Sequence, residues 1–170
     1  MINLRSEISK ILDNYGWPAL LQRTNRKMRC RCYDSVSQEC DPKCDYCLGR
    51  GWVSVIERHM IRYDGATQIV SNPNLQEISP QGKVWTPAVT IYFKYNVAPQ
   101  VGDIIYEVGW DKYKPTNLIR VWEINNVIPN RGDHGRIEFY EVAAKSVNLD
   151  RDFLHFSIRR IGNKINYEVR

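Results

Sequence analysis

The stretch that decides how this chain folds reads Cys30-Arg-Cys32, then Cys40, then Cys44-Asp-Tyr-Cys47-Leu-Gly49-Arg-Gly51. It contains all five cysteines of a 170-residue chain. Cysteines packed so closely either bind a metal ion together or form disulfides. The Cys-x-x-Cys pair followed by two glycines is typical of a zinc knuckle, in which glycine lets the backbone turn back towards the sulfurs. The sequence therefore predicts a tetrahedral Zn2+ site in this loop.

Five cysteines are one more than a tetrahedral site needs, so the ligand set has to be chosen. We predict that the ligands are two pairs of thiolates, namely Cys30, Cys32, Cys44 and Cys47. In this ligand set Cys40 lies in a polar loop and does not bind the ion. The main alternative is a ligand set in which Cys40 takes the place of Cys32. We discount His59 as a ligand because it lies in a segment with the pattern of a strand.

The predicted zinc site has a structural role in this interpretation. Four thiolates leave no open position for a substrate, and ion binding stabilises a loop that is too small to bury a core. A redox Cys-x-x-Cys normally opens a helix within a βαβ unit, and the sequence contains no recognisable unit of that kind. No signal-peptide pattern and no membrane-spanning apolar run is found. We therefore expect synthesis in a reducing cytoplasm, which favours zinc over disulfides.

A basic run precedes the cysteines and has two interpretations. Its members between residues 22 and 31 are Arg23, Arg26, Lys27, Arg29 and Arg31. With Trp17, Tyr33 and Trp52 available for stacking, the run has the composition of a nucleic-acid surface. We favour a local role, because four thiolates on one Zn2+ carry excess negative charge that nearby arginines neutralise. The formal net charge of +5 suits nucleic acid or an acidic partner surface equally.

The rest of the chain predicts one helix and a series of strands. Apolar residues from Leu4 to Tyr15 recur at helical spacing, and Gly16 and Pro18 end that helix. β-rich runs between Gly, Pro and Asn turns predict strands at 52–63, 88–95, 104–108, 118–128, 136–143 and 153–161. This pattern predicts a mainly β protein of the α+β class. We expect a small antiparallel β-barrel or sandwich with an N-terminal helix and a zinc-binding loop.

The predicted elements divide the chain into three regions. Residues 1–63 hold the helix, the Cys-rich zinc-binding region and one strand. Residues 64–83 form a long loop that is punctuated by glycine and proline. Residues 84–170 form the antiparallel barrel or sandwich. A loop of this length is uncommon in a compact domain unless it covers a site or reaches a neighbouring molecule.

Catalytic groups are not assembled anywhere in the sequence, so we expect no enzymatic activity. The histidines His59, His134 and His155 are isolated, and no Ser or Cys stands in a nucleophile-elbow context. Asp103 and Glu107 form a conceivable carboxylate pair. Gly-Asp at a strand entry is more simply a turn in which the Asp side chain bonds the backbone.

Three segments of the second half carry a resemblance to a known class of proteins. They are Pro99-Gln-Val-Gly-Asp-Ile-Ile105, Leu118-Ile-Arg-Val-Trp-Glu-Ile-Asn-Asn-Val127 and Ile137-Glu-Phe-Tyr-Glu-Val142. In this order they resemble the small β-barrels of tailed-bacteriophage connector proteins, of the head-completion (stopper or adaptor) and tail-completion families. The cysteine block likewise resembles zinc-bearing loops in structural proteins of large phages.

The resemblance implies a non-enzymatic virion protein that is assembled in the host bacterial cytoplasm. It would form a ring in the neck, the head-to-tail connector, or at the tail terminus. Its partners would be further copies of itself and neighbouring neck or tail proteins, with non-specific contact to packaged DNA and no membrane.

The same resemblance suggests which parts of the chain make the ring contacts. Helix 4–15, the barrel edge and loops 64–83, 109–117 and 129–135 would meet neighbouring copies or the next ring. The aromatic residues available as anchors at such contacts are Trp85, Trp110, Trp122, Tyr106 and Tyr113. For Trp122 we favour packing in the core.

The alternative function is a nucleic-acid-binding module that combines a zinc ribbon with an oligonucleotide-binding-type barrel. It would use the basic run and the aromatic strands. Such a module would be monomeric and would retain single strands in a salt-dependent manner, whereas a connector forms defined oligomers.

Overall fold

The computed structural model describes residues 3–42, 44, 47, 51–63, 76–79, 82–85, 88–147, 156–161 and 164–169. In these ranges the chain forms one helix, α1 at Leu4–Tyr15, and ten strands. The strands are β1 Trp17–Arg29, β2 Trp52–Tyr63, β3 Gln76–Ser79, β4 Gly82–Trp85, β5 Ala88–Lys94, β6 Ile104–Asp111, β7 Lys114–Arg131, β8 Ile137–Ser146, β9 Phe156–Ile161 and β10 Lys164–Val169. A single 3-10 turn, Asp133–Gly135, joins β7 to β8.

Six of the strands close into an antiparallel barrel in the order β1-β2-β5-β8-β7-β6. Strand β1 closes the ring by pairing with β6 from Leu20–Tyr106 to Gln22–Ile104. The predicted fold class, a mainly β protein with a small antiparallel barrel and an N-terminal helix, is confirmed. Strands β1 and β2 belong to this barrel. The barrel therefore contains residues from both sides of the boundary that we expected at residue 84.

Side chains that alternate along the strands, together with Val97 from the turn after β5, fill the barrel interior. They are Ala19, Leu21, Ile61, Ile91, Phe93, Val97, Ile105, Trp122, Ile124, Val142 and Ala144. Trp122 is only 6% exposed, so the prediction that it packs in the core is confirmed. Closure of the barrel pairs every one of its strands on both sides over part of its length, which limits the exposed sheet edge.

A second apolar cluster lies on the outer face of the barrel, beneath the C-terminal β9–β10 hairpin. Its members are Leu20, Ile104, Tyr106, Val108, Val121 and Tyr167. Tyr167 of β10 packs edge-on against Trp110, with ring centroids 5.9 Å apart. The prediction that Tyr106 is an exposed interface anchor is therefore wrong: it is 1% exposed, and its hydroxyl donates to Gln22 Oε1.

The other expected aromatic anchors have different outcomes. Trp110 is half-buried, and its Nε1 donates to the carbonyl of Pro18 at 2.7 Å. Tyr113, in the turn between β6 and β7, is 61% exposed as expected. The side chain of Trp85 lies outside the described part of the structure.

Helix α1 packs against its own barrel. Leu12 is its buried residue, and the Arg5 guanidinium donates to the Ile137 carbonyl and lies 4.0 Å from the centre of the Tyr95 ring. Asp13 forms an ion pair with Lys94 of β5. Three apolar residues of α1 remain exposed, namely Leu4, Ile11 and Tyr15. Among the described residues, no helix has the length and apolar character needed to cross a membrane.

Part of the expected loop 64–83 is regular structure. Strands β3 and β4 pair with each other, from Gln76–Trp85 to Ser79–Gly82. Residues 64–75, 80 and 81 lie outside the described ranges. The same holds for residues 153–155 of the last predicted strand, whose remainder is β9.

Candidate metal centre

The cysteines lie at the tip of a two-stranded extension of the barrel. Strands β1 and β2 stay paired as far as Arg29–Trp52. In the ranges described, β1 pairs with β6 only at residues 20–22 and β2 pairs with β5 only at residues 62–63. We call residues 23–29 and 52–55 the β1–β2 arm. The backbone N–H of Cys30 donates to the Gly51 carbonyl at 2.9 Å, which carries the ladder to the base of the cysteine loop.

Four sulfur atoms converge at this tip. The Sγ atoms of Cys30, Cys32, Cys44 and Cys47 all lie within 4.8 Å of one another. Cys30 Sγ is 3.7 Å from Cys44 Sγ, and Cys32 Sγ is 3.4 Å from Cys47 Sγ. A tetrahedral ion with metal–sulfur bonds of about 2.3 Å requires sulfurs about 3.8 Å apart, so the donor set fits such an ion. No disulfide joins the five cysteines.

The structure brings together the four cysteines that the sequence predicts as ligands. Cys40 is described but is not one of the four whose sulfurs converge. It lies beside Gly51, where an added Cβ would stand 3.6 Å from Cys40 Sγ. The geometry therefore favours Cys32 over Cys40 in the ligand set. His59 lies on β2 away from the cluster, with its Nε2 3.0 Å from Glu57 Oε2.

Two of the four thiols, those of Cys30 and Cys32, resist ionisation without a cation. Burial and hydrogen bonds with the thiols of Cys44 and Cys47 together raise the pKa of Cys32 to about 12, although a hydrogen bond with the backbone of Asp41 acts in the opposite direction. A hydrogen bond with the backbone of Cys32 lowers the pKa of Cys30, but burial and the thiols of Cys44 and Cys47 outweigh that effect, so that the net shift is upward. An ion that binds here must displace protons, so binding strengthens as pH rises.

Backbone hydrogen bonds shape the loop that carries the thiols. Tyr33 N–H donates to the Cys30 carbonyl at 3.1 Å, and Asp34 N–H donates to the Glu39 carbonyl at 2.9 Å. Cys44 N–H donates to the Asp41 carbonyl at 3.0 Å. Gly51 has φ +72°, a left-handed conformation that favours glycine. These turns bring distant cysteines to one place.

Two arginines of the basic run, Arg23 and Arg29, have intramolecular partners. Arg29 lies between two rings, 3.6 Å from the centre of Trp52 and 4.0 Å from that of Tyr33. Arg23 Nε is 2.8 Å from Glu57 Oε2, and its guanidinium also donates to the Val97 carbonyl. Arg31 is exposed, and the side chains of residues 24–27 lie outside the described part. Two of the three aromatic residues proposed for stacking on bases, Tyr33 and Trp52, therefore stack on Arg29, whereas Trp17 is 46% exposed.

No protein-family model matches this chain, and no curated protein matches it. Soft thiolate ligands in a tetrahedral set are typical of zinc or iron–sulfur sites.

The expected turn at Asp103 is present. Asp103 Oδ2 accepts from the Gln100 N–H at 2.9 Å, and Gly102 beside it has φ +87°. Glu107 has separate partners: it accepts from the Tyr63 hydroxyl at 2.9 Å and from Trp122 Nε1 at 3.4 Å. The two carboxylates thus have different local roles, one in a turn and one at the barrel wall.

The remaining histidines do not join a described cluster. His134 is exposed in the turn between β7 and β8, and His155 lies outside the described ranges. Burial lowers the pKa of His59, although the hydrogen bond with Glu57 acts in the opposite direction.

Sequence reasoning missed two contacts that shape the molecule. One is the stacking of Arg29, whose only signal was an arginine directly before Cys30 and aromatic residues directly after Cys32 and Gly51. The other is the ionic cluster of buried Glu138 with Arg136 and Arg5, which fixes α1 to β8. The two arginines come from different parts of the chain, so no local pattern reveals that cluster.

Proposed function

We propose that this protein is a non-enzymatic structural protein of a tailed-phage virion. It forms a ring in the neck or at the tail terminus and carries one structural Zn2+ on Cys30, Cys32, Cys44 and Cys47. The observation that carries the proposal is the convergence of four thiols at the tip of the β1–β2 arm. A ring subunit needs rigid projections, and a two-stranded ribbon alone is only marginally stable. Ion binding would fix its tip.

The geometry of the donor set is compatible with zinc. Two of the sulfur–sulfur distances are 3.4 and 3.7 Å. They are close to the distance of about 3.8 Å that separates the sulfurs of a tetrahedral zinc site. Cys30 and Cys47 are buried, and Cys32 and Cys44 are half-buried, so little surface remains for a further ligand. A closed site of this kind supports a role in folding and assembly.

Surface features support contacts with other copies and with neck or tail proteins. Apolar side chains are exposed on α1, at the cysteine loop and at the β6–β7 turn: Leu4, Ile11, Tyr15, Val36 and Tyr113. Scattered single apolar residues are ordinary, but three on one short helix form a contact surface. The excess positive charge suits non-specific contact with packaged DNA.

Two measurements test this proposal. Mass spectrometry of purified virions of the phage that encodes the chain should detect it as a stoichiometric component. Native mass spectrometry of the recombinant full chain should show a defined oligomer with one Zn2+ per copy. A chain that is missing from the particles would contradict the virion role.

The same preparations separate the alternative function. A nucleic-acid-binding module would remain monomeric and would be retained on immobilised single-stranded DNA, with retention falling steeply as salt rises. The stacking of Tyr33 and Trp52 on Arg29 makes these rings less available to bases, so we expect weak retention.

A further inference from the structure

Three residues form an aromatic sandwich at the base of the cysteine loop. Arg29 is the last residue of β1 and directly precedes Cys30, and Trp52 is the first residue of β2. Tyr33 directly follows Cys32. The guanidinium carbon of Arg29 lies 3.6 Å from the ring centre of Trp52 and 4.0 Å from that of Tyr33. The sandwich therefore joins the entry of the loop, its exit and its first cysteine pair.

We propose that Arg29 is a positioning residue of the metal centre. Held between the two rings, its guanidinium clamps the ends of the cysteine loop and places Cys30 and Cys32 for the ion before the ion arrives. This inference rests on the zinc site of the proposed function and is independent of ring formation.

The backbone around the sandwich explains how a side chain outside the ligand set positions the sulfurs. Arg29 and Trp52 are cross-strand partners, and the next hydrogen bond runs from Cys30 N–H to the Gly51 carbonyl. A turn is closed by Tyr33 N–H on the Cys30 carbonyl, and the ring of this tyrosine lies against the Arg29 guanidinium. An added Cβ on Gly51 would stand 3.3 Å from that ring. Movement of the Tyr33 ring would therefore shift the segment that contains Cys30 and Cys32.

The clamp requires the shape of arginine as well as its charge. A guanidinium is planar and weakly hydrated, so it stacks on two ring faces at once, whereas the ammonium of lysine is a compact, strongly hydrated charge. A loop that is already ordered loses less conformational entropy when it binds an ion. The loss of two exposed cation–π contacts corresponds to an increase of about 5- to 30-fold in the dissociation constant for Zn2+.

The test compares Zn2+ affinities of full-length variants by competition with a chromophoric chelator at fixed pH under reducing conditions. We expect Arg29→Ala and Arg29→Lys each to weaken Zn2+ binding about 5- to 30-fold. Arg31→Ala is the matched control, because Arg31 is exposed and adjacent to Cys30 as Arg29 is, but has no ring contact in the described part of the chain. We expect it to stay within about twofold of the wild type.

A second pair of variants separates the ring from its hydroxyl group. Tyr33→Phe keeps the ring face and should bind Zn2+ as the wild type does, whereas Tyr33→Leu should weaken binding as Arg29→Ala does. Far-ultraviolet circular dichroism of every variant checks that the barrel remains folded, so that an affinity change reports on the loop.

Two results would overturn the inference. One is wild-type affinity in Arg29→Lys, which would show that charge alone is needed. The other is an equal loss in Arg31→Ala, which would show that any neighbouring positive charge acts in the same way. A wild-type chain that takes up no Zn2+ would refute the zinc site itself. A monomeric wild type that binds Zn2+ would contradict the ring. The comparison of Zn2+ affinities among the variants would still test the role of Arg29.

Discussion

Cys47 and Cys40 are both thiols of one short loop, but their surroundings differ. Cys47 has no exposed surface and its Sγ is 3.4 Å from that of Cys32. Cys40 is half-buried and lies against the backbone of Gly51. The two residues therefore offer a matched comparison within a single loop. It separates metal binding from the general cost of removing a thiol.

We predict that Cys47→Ser releases the ion and that Cys40→Ser keeps it. A serine hydroxyl is a poor substitute for thiolate in a tetrahedral zinc site. Native mass spectrometry under reducing conditions gives the ion count per chain. Retention of Zn2+ by Cys47→Ser would refute the ligand assignment, and loss of Zn2+ from Cys40→Ser would place Cys40 in the ligand set.

Gly51→Ala tests the left-handed turn at the exit of the loop. Gly51 has φ +72°, and Gly135 has nearly the same φ of +71° but nothing within 4 Å of an added Cβ. Each substitution should cost about 1–2 kcal/mol of unfolding free energy through backbone strain. Only Gly51→Ala should also weaken Zn2+ binding, because its Cβ presses on Tyr33. Unfolding in urea and chelator competition measure the two effects, and equal Zn2+ affinity in both variants would contradict this explanation.

At the scale of elements, α1 is held to the barrel by an ionic cluster. Glu138 of β8 is 4% exposed; its Oε1 lies 2.9 Å from Arg136 Nε, and its Oε2 lies 3.8 Å from Arg5 Nε of the helix. The hydrogen bond from Arg136 is the main cause that lowers the pKa of Glu138, and the charge of Arg5 adds to it. Helix docking is therefore linked to the ionisation of one carboxylate.

We predict that acid weakens this docking. Because the folded-state pKa of Glu138 lies below its unfolded value of about 4.3, its contribution to stability is complete above that pH and is lost as pH falls through the lower folded-state pKa. Urea unfolding midpoints measured between about pH 5 and 2 should fall more steeply in the wild type than in Glu138→Gln. Identical pH profiles would show that another group is responsible.

The β1–β2 arm and the barrel should respond differently to removal of the ion. Strands β5 and β8 are paired on both sides within the barrel, whereas the arm has only two strands and depends on its tip. Chelation should therefore remove hydrogen-exchange protection from residues 23–55 and leave β5 and β8 protected. Equal loss in the barrel strands, or no loss in the arm, would contradict a local role for the metal.

Local patterns explain which elements the sequence could predict. The helical spacing from Leu4 to Tyr15 and the glycine that follows gave α1, and the cysteine spacing gave the converging thiols. The run Ile104-Ile-Tyr106 is apolar on both faces, so alternation could not show that Tyr106 lies beneath the β9–β10 hairpin. Pairing of β1 with β6 joins residues far apart in sequence, and the position of Arg29 depends on the fold around it.

At the scale of the whole molecule, the barrel and the metal centre are separate sources of order. The apolar interior runs from Ala19 of β1 to Ala144 of β8 and includes none of the cysteines. The thiol cluster in turn lies at the end of the arm, beyond the residues at which β1 joins β6. We therefore interpret the proposed ion as a local cross-link that stiffens the β1–β2 arm, while the barrel is stable without it.

The claim on which this account depends is that four thiolates of one loop bind a single zinc ion. X-ray absorption at the zinc edge, measured on the full chain purified under reducing conditions, tests it most directly. We predict one Zn2+ per chain with a single shell of four sulfur neighbours at about 2.3 Å. A shell that contains nitrogen or oxygen, or a chain that holds no zinc, would contradict it.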